Sequence, residues 1–209
     1  MNILPVNPRY GVPGISWSDL QAIESNPKRW LEHKVIGNDA TRFGTFVHAQ
    51  IKHGKIKVPH GNHPEESMKV PLLAGKDIFY VCGQPDDYDD ECLYEYKSAT
   101  KLWGRRKAEE HGQLPTYVFL IWKAKGIFLR KAKLVSLETT RDHDIDETVL
   151  TGLSRVNEVG IGMKDVLKIQ ARFVKAYNII KSLMEDSGNP IIKSLTVDKE
   201  NDENIKNNI

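Results

Sequence analysis

The chain has 209 residues, 40% of them hydrophobic and 28% charged, with a net charge of +2. That length carries one globular domain with a real core and is too short for two comfortable ones, and a near-neutral balance names no partner, so any electrostatic signal lies in how the charge is distributed. Two cysteines, Cys82 and Cys92, exclude a disulfide framework, a four-cysteine zinc site and an iron–sulfur cluster, and they read as buried thiols of a reducing compartment. No apolar run reaches the length of a membrane span, and Met1 to Tyr10 carries neither a signal core nor a transit pattern. The expectation is a cytoplasmic protein with no membrane partner.

In chain order, residues 1–15 hold three prolines and two glycines and read as an extended lead-in. Ser16 with Asp19 three residues later predicts a capped helix running to about His33, broken or kinked at Pro27. Phe43, Val47 and Ile51 recur at helical spacing and predict a second helix over roughly Thr41–His53, ended by Gly54. Residues 54–76 read as a long loop with one short strand. Two strands follow, near Ile78–Asp86 and Cys92–Ser98, joined as a hairpin through the acidic stretch between them. A short helix is expected around Leu102–Glu110, and a clearer one from Leu114 to Lys125, with Pro115 in its first turn and Gly126 at its end. Ile127–Thr139 reads as a strand region. Asp144 or Asp146 is the expected cap of a long C-terminal helix, interrupted near Gly160–Gly162 and carrying Val166, Ile169, Phe173, Tyr177 and Ile180 on one face. Residues 187–209 turn rich in Asn, Asp, Glu and Lys and read as a disordered tail.

The pattern that carries chemistry is Gly83-Gln84-Pro85-Asp86, eight intervening residues, then Glu95-Tyr96-Lys97. Alternate residues of a strand share a face, so Glu95 and Lys97 lie together and Tyr94 and Tyr96 lie opposite. A turn at Asp90-Glu91 brings Asp86 across from Glu95, and a slip of one residue gives that place to Asp87. Asp89 and Asp90, and Asp87 in the first register, read as solvated turn residues. Two facing carboxylates repel and want a cation, and oxygen donors of this kind suit Mg²⁺. A metal neutralises a phosphodiester and acidifies bound water, while a lysine holds the nucleophile or the developing charge.

These residues resemble the PD-(D/E)XK nuclease superfamily, with Glu95-x-Lys97 as its second half-motif and Asp86 as its first acid. Gly44-Thr45-Phe46-Val47-His48 is similar to the Gly-x-x-x-His motif of the RecB-like and phage exonuclease branch. Gln113-x-x-x-Tyr117 is similar to that branch's Gln-x-x-x-Tyr motif, and Ser16–Trp30, with Asn26-Pro27, looks like its N-terminal helix. The likeness spans roughly residues 14–140 in the family's order. It implies an α/β (α+β) fold with a restriction-endonuclease-like core, that is, a central mixed β-sheet flanked by helices with a long C-terminal helix, as one domain over 1–186. It implies one or two Mg²⁺ or Mn²⁺ ions held by His48, Asp86, Glu95 and the backbone carbonyl of Tyr96. Lys97 would then orient the nucleophile, and Gln113 and Tyr117 would contact Lys97 or the DNA backbone. Some relatives carry four cysteines around an iron–sulfur cluster; Asn26 stands where the first would fall, and no cluster is expected.

Charge changes sign past the motif. From Asp86 to Glu95 inclusive there are six acids and no base, whereas Lys101 to Lys133 holds nine basic residues and two acids. Lys101, Arg105, Arg106 and Lys107 are the expected phosphate contacts, with Trp103 among them as a base-stacking ring. The His-rich loop 53–63 reads as exposed or DNA-facing rather than metal-binding. The resulting expectation is a metal-dependent DNA exonuclease of replication, recombination or repair, compatible with a phage source. Its partners would be DNA ends, single- or double-stranded, and a recombination or single-strand-binding protein, and an oligomer is compatible. The competing readings are a structure-specific endonuclease on the same fold and a non-catalytic DNA-binding subunit.

Overall fold

The computed structural model describes residues 4, 6–7, 9–32, 39–142 and 147–186. Strands β1 (Val6–Asn7) and β2 (Val12–Ser16) pair antiparallel across a turn closed by Gly11, whose φ of 64° favours a residue without a Cβ. β2 runs directly into α1 (Trp17–Ser25). Its entry is the expected capping box: the Ser16 hydroxyl accepts the Asp19 N–H, and the Asp19 carboxylate accepts the Ser16 N–H at 2.9 Å. Asn26 separates α1 from α2 (Pro27–Glu32), so Pro27 opens a new helix at the position where its missing N–H costs nothing. Helix α3 (Asp39–Lys52) buries Val47, with Ile51 half-buried; the Phe43 side chain lies outside the described residues.

Strands β3 (Met68–Ala74) and β4 (Asp77–Gly83) form a hairpin across Gly75. The expected loop over 54–76 therefore ends in a seven-residue strand that buries Met68 and Val70. Pro71 obscures it in the sequence, and β3 is an edge strand, where a ladder tolerates proline. After β5 (Asp87–Tyr88) and β6 (Cys92–Ala99) come α4 (Arg105–Glu109) and α5 (Gln113–Lys125), then β7 (Lys131–Asp142), β8 (Glu147–Gly160) and α6 (Met163–Asp186). Gly126 ends α5 with a φ of 79°.

The architecture is mixed α/β with flanking helices and a long C-terminal helix. The strands divide into two four-stranded mixed sheets, ordered β1-β2-β4-β3 and β5-β6-β7-β8. Two expectations need correction. The strand near 78–86 does not pair with the strand near 92–98: β4 pairs with β2 and β3, and the hairpin partner of β6 is the two-residue β5. Nor does a helix run from the mid-140s. Residues 147–160 form β8, rich in β-branched side chains and paired antiparallel with β7, and Gly160–Gly162 mark the start of α6, whose Asp165 accepts the Gly162 N–H. The candidate caps Asp144 and Asp146 and the tail 187–209 lie outside the described residues.

Helix α5 fills the middle of the core. Leu114, Val118, Phe119, Leu120 and Ile121 are all fully buried, so this helix is apolar nearly all round rather than on one stripe. The stripe of α6 packs into the same cluster, and Tyr177 stacks on Phe79 at 4.7 Å. The expected burial of Cys82 and Cys92 is observed; burial pushes the Cys82 thiol up to about 12, which keeps it protonated and inert. Among the described residues no helix is long and apolar enough to cross a membrane.

Candidate active site

The site grows from β6. One face of this strand sends Leu93 into the main core and places Glu95 and Lys97 toward α5; the other packs Cys92, Tyr94 and Tyr96 with Val135 in a smaller apolar cluster. β5 pairs with β6 through Asp87↔Tyr94 and Tyr88↔Leu93, a register that carries Asp86 to the place across from Glu95. Pairing stops there, and side chains take over the backbone of β6. The Asp86 carboxylate accepts the Tyr96 N–H at 2.8 Å, and the Tyr96 carbonyl lies 3.3 Å from His48 Nε2. His48 Nδ1 lies 3.3 Å from Asp86 Oδ1.

Asp86 and Asp87 are separated by function. Asp87 faces away, buried, and accepts the N–H groups of Gly61, His63 and Tyr88 at 2.8–3.0 Å. It is a loop anchor rather than a solvated turn residue. Asp89 likewise ties the turn, accepting the N–H groups of Glu91 and Cys92 and the Tyr94 hydroxyl, and of Asp87, Asp89 and Asp90 the last is the exposed one. Gly61 allows the anchored loop to lie flat on β5, since a Cβ there would stand 2.3 Å from the Tyr88 carbonyl. His63 stacks on Tyr88 at 4.6 Å, which commits part of the His-rich loop to packing.

Glu95 is 1% exposed. Its Oε1 accepts the Lys97 ammonium at 2.6 Å, while its Oε2 is buried with no hydrogen-bond partner. Burial, then the neighbouring Asp86 charge, hold the Glu95 carboxyl above the usual carboxylate range against the pull of Lys97. Burial also raises Asp86, opposed by Lys97, the Tyr96 N–H and the adjoining Glu95 carboxyl, and reinforced by Glu65. Burial pulls the Lys97 ammonium toward neutrality, but Glu95 and Asp86 overcome it, and Lys97 stays charged with a raised pKa. Its second partner is Gln113 Oε1 at 2.8 Å, and Gln113 Nε2 donates to the Tyr117 hydroxyl at 2.7 Å. Gly83 makes room for this layer: a Cβ there would meet Leu120 Cδ1 at 2.6 Å and Tyr117 Cε1 at 2.9 Å.

His48, Asp86, Tyr96, Glu95, Lys97, Gln113 and Tyr117 are thus brought into one connected cluster. Burial keeps the His48 imidazole below its ordinary pKa and neutral near pH 7. A neutral imidazole has one N–H. Its two contacts, the Tyr96 carbonyl and the Asp86 carboxylate, are both acceptors, so one of them is left lone pair to lone pair. That misfit, the orphaned Glu95 oxygen and the two raised carboxyls all express a shortage of positive charge. Among the described residues no group of three or more His, Cys, Asp or Glu side chains is placed to hold a metal ion by itself. Mg²⁺, however, is commonly held by one or two carboxylates together with substrate phosphates, so the donor set fits a cation of that kind.

A cavity of about 530 Å³ opens beside His48 and Asp86, between α3 and the loop over 54–65. Lys52, Lys57 and His60 are cationic or basic groups on its wall, and Glu65 joins it, its N–H donating to the Asp86 carbonyl and its carboxylate pairing with Lys52 at 2.8 Å. Past β6, Lys101, Arg105 and Arg106 are exposed, although Arg105 pairs with Glu109 and Arg106 with Glu110 one turn along α4. Exposed pairs of this sort are weak and leave the guanidinium groups accessible. Trp103 departs from expectation. Its backbone is bonded to Ser136 and Asn157, its ring packs on the core and against His111, and Lys107 sits 3.9 Å over the ring, so it is a packing residue and not a free stacking platform.

Sequence reasoning missed Glu65, the anchoring part of Asp87, and His111, whose Nε2 lies 3.0 Å from Gln113 Oε1. The doublet Asp86-Asp87 offered a signal for the second; Glu65 and His111 had none, because each reaches the cluster through loop geometry.

No protein-family model and no curated protein matches this chain. Among solved structures it is similar to SSO0001, at 13% identity and a TM-score of 0.43 over 78% of this chain and 75% of that one. It is also similar to LHK-Exo in complex with dAMP, at 13% identity and 0.45 over 86% and 93%. A further structure, an alkaline exonuclease (LHK-Exo) from Laribacter hongkongensis, gives 15% identity and 0.37 over 82% and 86%. Likeness at this level leaves the chemistry to the side chains.

Proposed function

We propose that this protein is a divalent-metal-dependent deoxyribonuclease, acting from DNA ends, with Asp86, Glu95 and Lys97 at its centre. The observation that carries the reading is the buried carboxylate pair: Asp86 and Glu95 are both held above the usual carboxylate range, and one Glu95 oxygen has no partner. Asp86, Glu95 and His48 are the residues that would hold Mg²⁺ or Mn²⁺, with the Tyr96 carbonyl beside them. A bound cation of this class neutralises phosphate charge and lowers the pKa of water. Lys97, held charged by Glu95 and Asp86 in the metal-free protein, serves as a donor that orients the attacking water and stabilises charge on the phosphoryl oxygens. Gln113 and Tyr117 hold that ammonium in place.

The cavity beside Asp86 supports action at an end, because it offers room for a terminal nucleotide next to that carboxylate. Lys101, Arg105 and Arg106 supply exposed positive charge for the backbone. The test uses end-labelled linear DNA and covalently closed circular DNA, each with Mg²⁺, Mn²⁺ or EDTA. The reading expects linear DNA to shorten from its ends only with a metal and closed circles to stay intact. Nicked circles would replace the exonuclease with an endonuclease, and no degradation with either metal would remove the nuclease reading.

A further inference from the structure

His111 belongs to none of the roles assigned above, yet it touches the residue that holds Lys97. The Lys97 ammonium carries only donors, so the Gln113 atom 2.8 Å away is the amide oxygen. That same oxygen lies 3.0 Å from His111 Nε2, which must therefore carry the ring hydrogen. The third contact of Gln113, to the Tyr117 hydroxyl, does not fix the amide, because a hydroxyl donates or accepts equally well. Besides Lys97, His111 is the named donor that keeps the Gln113 oxygen facing the site.

The imidazole is itself held. Trp17 meets it edge-on at 5.9 Å and Trp103 at 5.0 Å, and its backbone N–H donates to Ala108. The next residue, Gly112, lies so close to Trp17 that a Cβ there would stand 2.4 Å from the indole, which fixes the turn presenting His111 and Gln113 together. Burial, with the Lys97 charge nearby, lowers the imidazole to about 4, so a single N–H is available and the geometry spends it on Gln113.

We propose that His111 is a positioning residue: its Nε2–H, wedged between Trp17 and Trp103, fixes the Gln113 oxygen and through it the Lys97 ammonium. This rests on the reading of Lys97 as the group that meets the substrate. Two measurements test it separately. In the wild-type protein, nitrogen-detected NMR of His111 should show the Nε2–H tautomer; hydrogen on Nδ1 would overturn the proposal whether or not the protein cuts DNA. In steady-state cleavage, His111→Phe should lower kcat by about 10-fold with little change in KM, as lost outer-shell partners do. His111→Gln, whose amide nitrogen restores a donor, should recover most of it. In a Gln113→Leu background the His111→Phe loss should largely vanish, since both act through one oxygen. Wild-type kcat in a folded His111→Phe protein, or losses that simply multiply, would overturn the proposal. A wild-type protein inactive on DNA would instead sink the nuclease reading and leave the tautomer to decide the hydrogen bond.

Discussion

Replacing Asp86 by asparagine should make the metal-free protein more stable while destroying its activity. Asp86 Oδ2 accepts the Tyr96 N–H, a bond that the asparagine carbonyl keeps. Asp86 Oδ1 faces His48 Nδ1 at 3.3 Å, and with His48 donating from Nε2 to the Tyr96 carbonyl, both atoms are acceptors. An amide N–H there turns a misfit into a hydrogen bond worth about 0.5–1.5 kcal/mol. The substitution also removes a buried charge held above its ordinary range beside Glu95, which adds a comparable amount, for a gain on the order of 1–3 kcal/mol.

The pH dependence fixes the sign of that second part. A carboxyl whose folded pKa is raised binds its proton more tightly folded than unfolded. Wild-type stability therefore falls as pH climbs from the usual carboxylate range through the raised folded value, and the asparagine variant is spared that loss. The gap between the two proteins should be smallest near about pH 4 and widest near about pH 8. Urea unfolding in EDTA across that span measures it, with Tm rising about 2–4 °C per kcal/mol for a chain of this size. Added Mg²⁺ should stabilise wild type and leave Asp86→Asn unmoved. An asparagine variant less stable than wild type at pH 8, or equally stabilised by Mg²⁺, would exclude Asp86 as a destabilising buried charge that a cation relieves.

Gly83→Ala should destabilise by about 1–3 kcal/mol in urea unfolding, because its Cβ would strike Leu120 and Tyr117 in a filled core. Asp87→Ala should cost about 1–3 kcal/mol and expose the Gly61 and His63 amides to hydrogen exchange, while Mg²⁺ stabilisation persists; loss of Mg²⁺ response there would move the cation to Asp87. Arg106→Ala should weaken DNA binding alike for all sequences and reduce the salt slope by about 1, an unchanged slope meaning no phosphate contact.

How much was readable beforehand varies with the range of the interaction. The Ser16–Asp19 capping box, the Pro27 break and the Gly126 stop are local, and each stands where the spacing put it. The two faces of β6 were also legible, because side-chain direction alternates along a strand and sends Leu93 and Tyr94 into different clusters even though both are buried. Sheet membership was not: β4 and β5 are consecutive in sequence but belong to different sheets, a choice made by partners far away in the chain. The segment over 147–160 carries few buried positions, so neither period dominates, and its pairing with β7 decides its form. Asp86 and Asp87 differ in the sequence by one step and in the structure by a whole face, set by the β5–β6 register. Trp103 looked like a stacking ring among cations, but an apolar ring beside a core has a nearer place to go.

The proposed role of the Asp86–Glu95–Lys97 cluster is hydrolysis of DNA with a divalent cation. Single-turnover cleavage of end-labelled DNA in Mg²⁺, comparing wild type with Lys97→Ala and Lys97→Arg at matched folding, tests it most directly. Loss of the ammonium should slow cleavage by about 10²–10³-fold, and arginine should not restore it, since a planar guanidinium cannot occupy the slot between Glu95 and Gln113 that a compact ammonium fills. Cleavage by Lys97→Ala at the wild-type rate would rule out that role for the Lys97 ammonium.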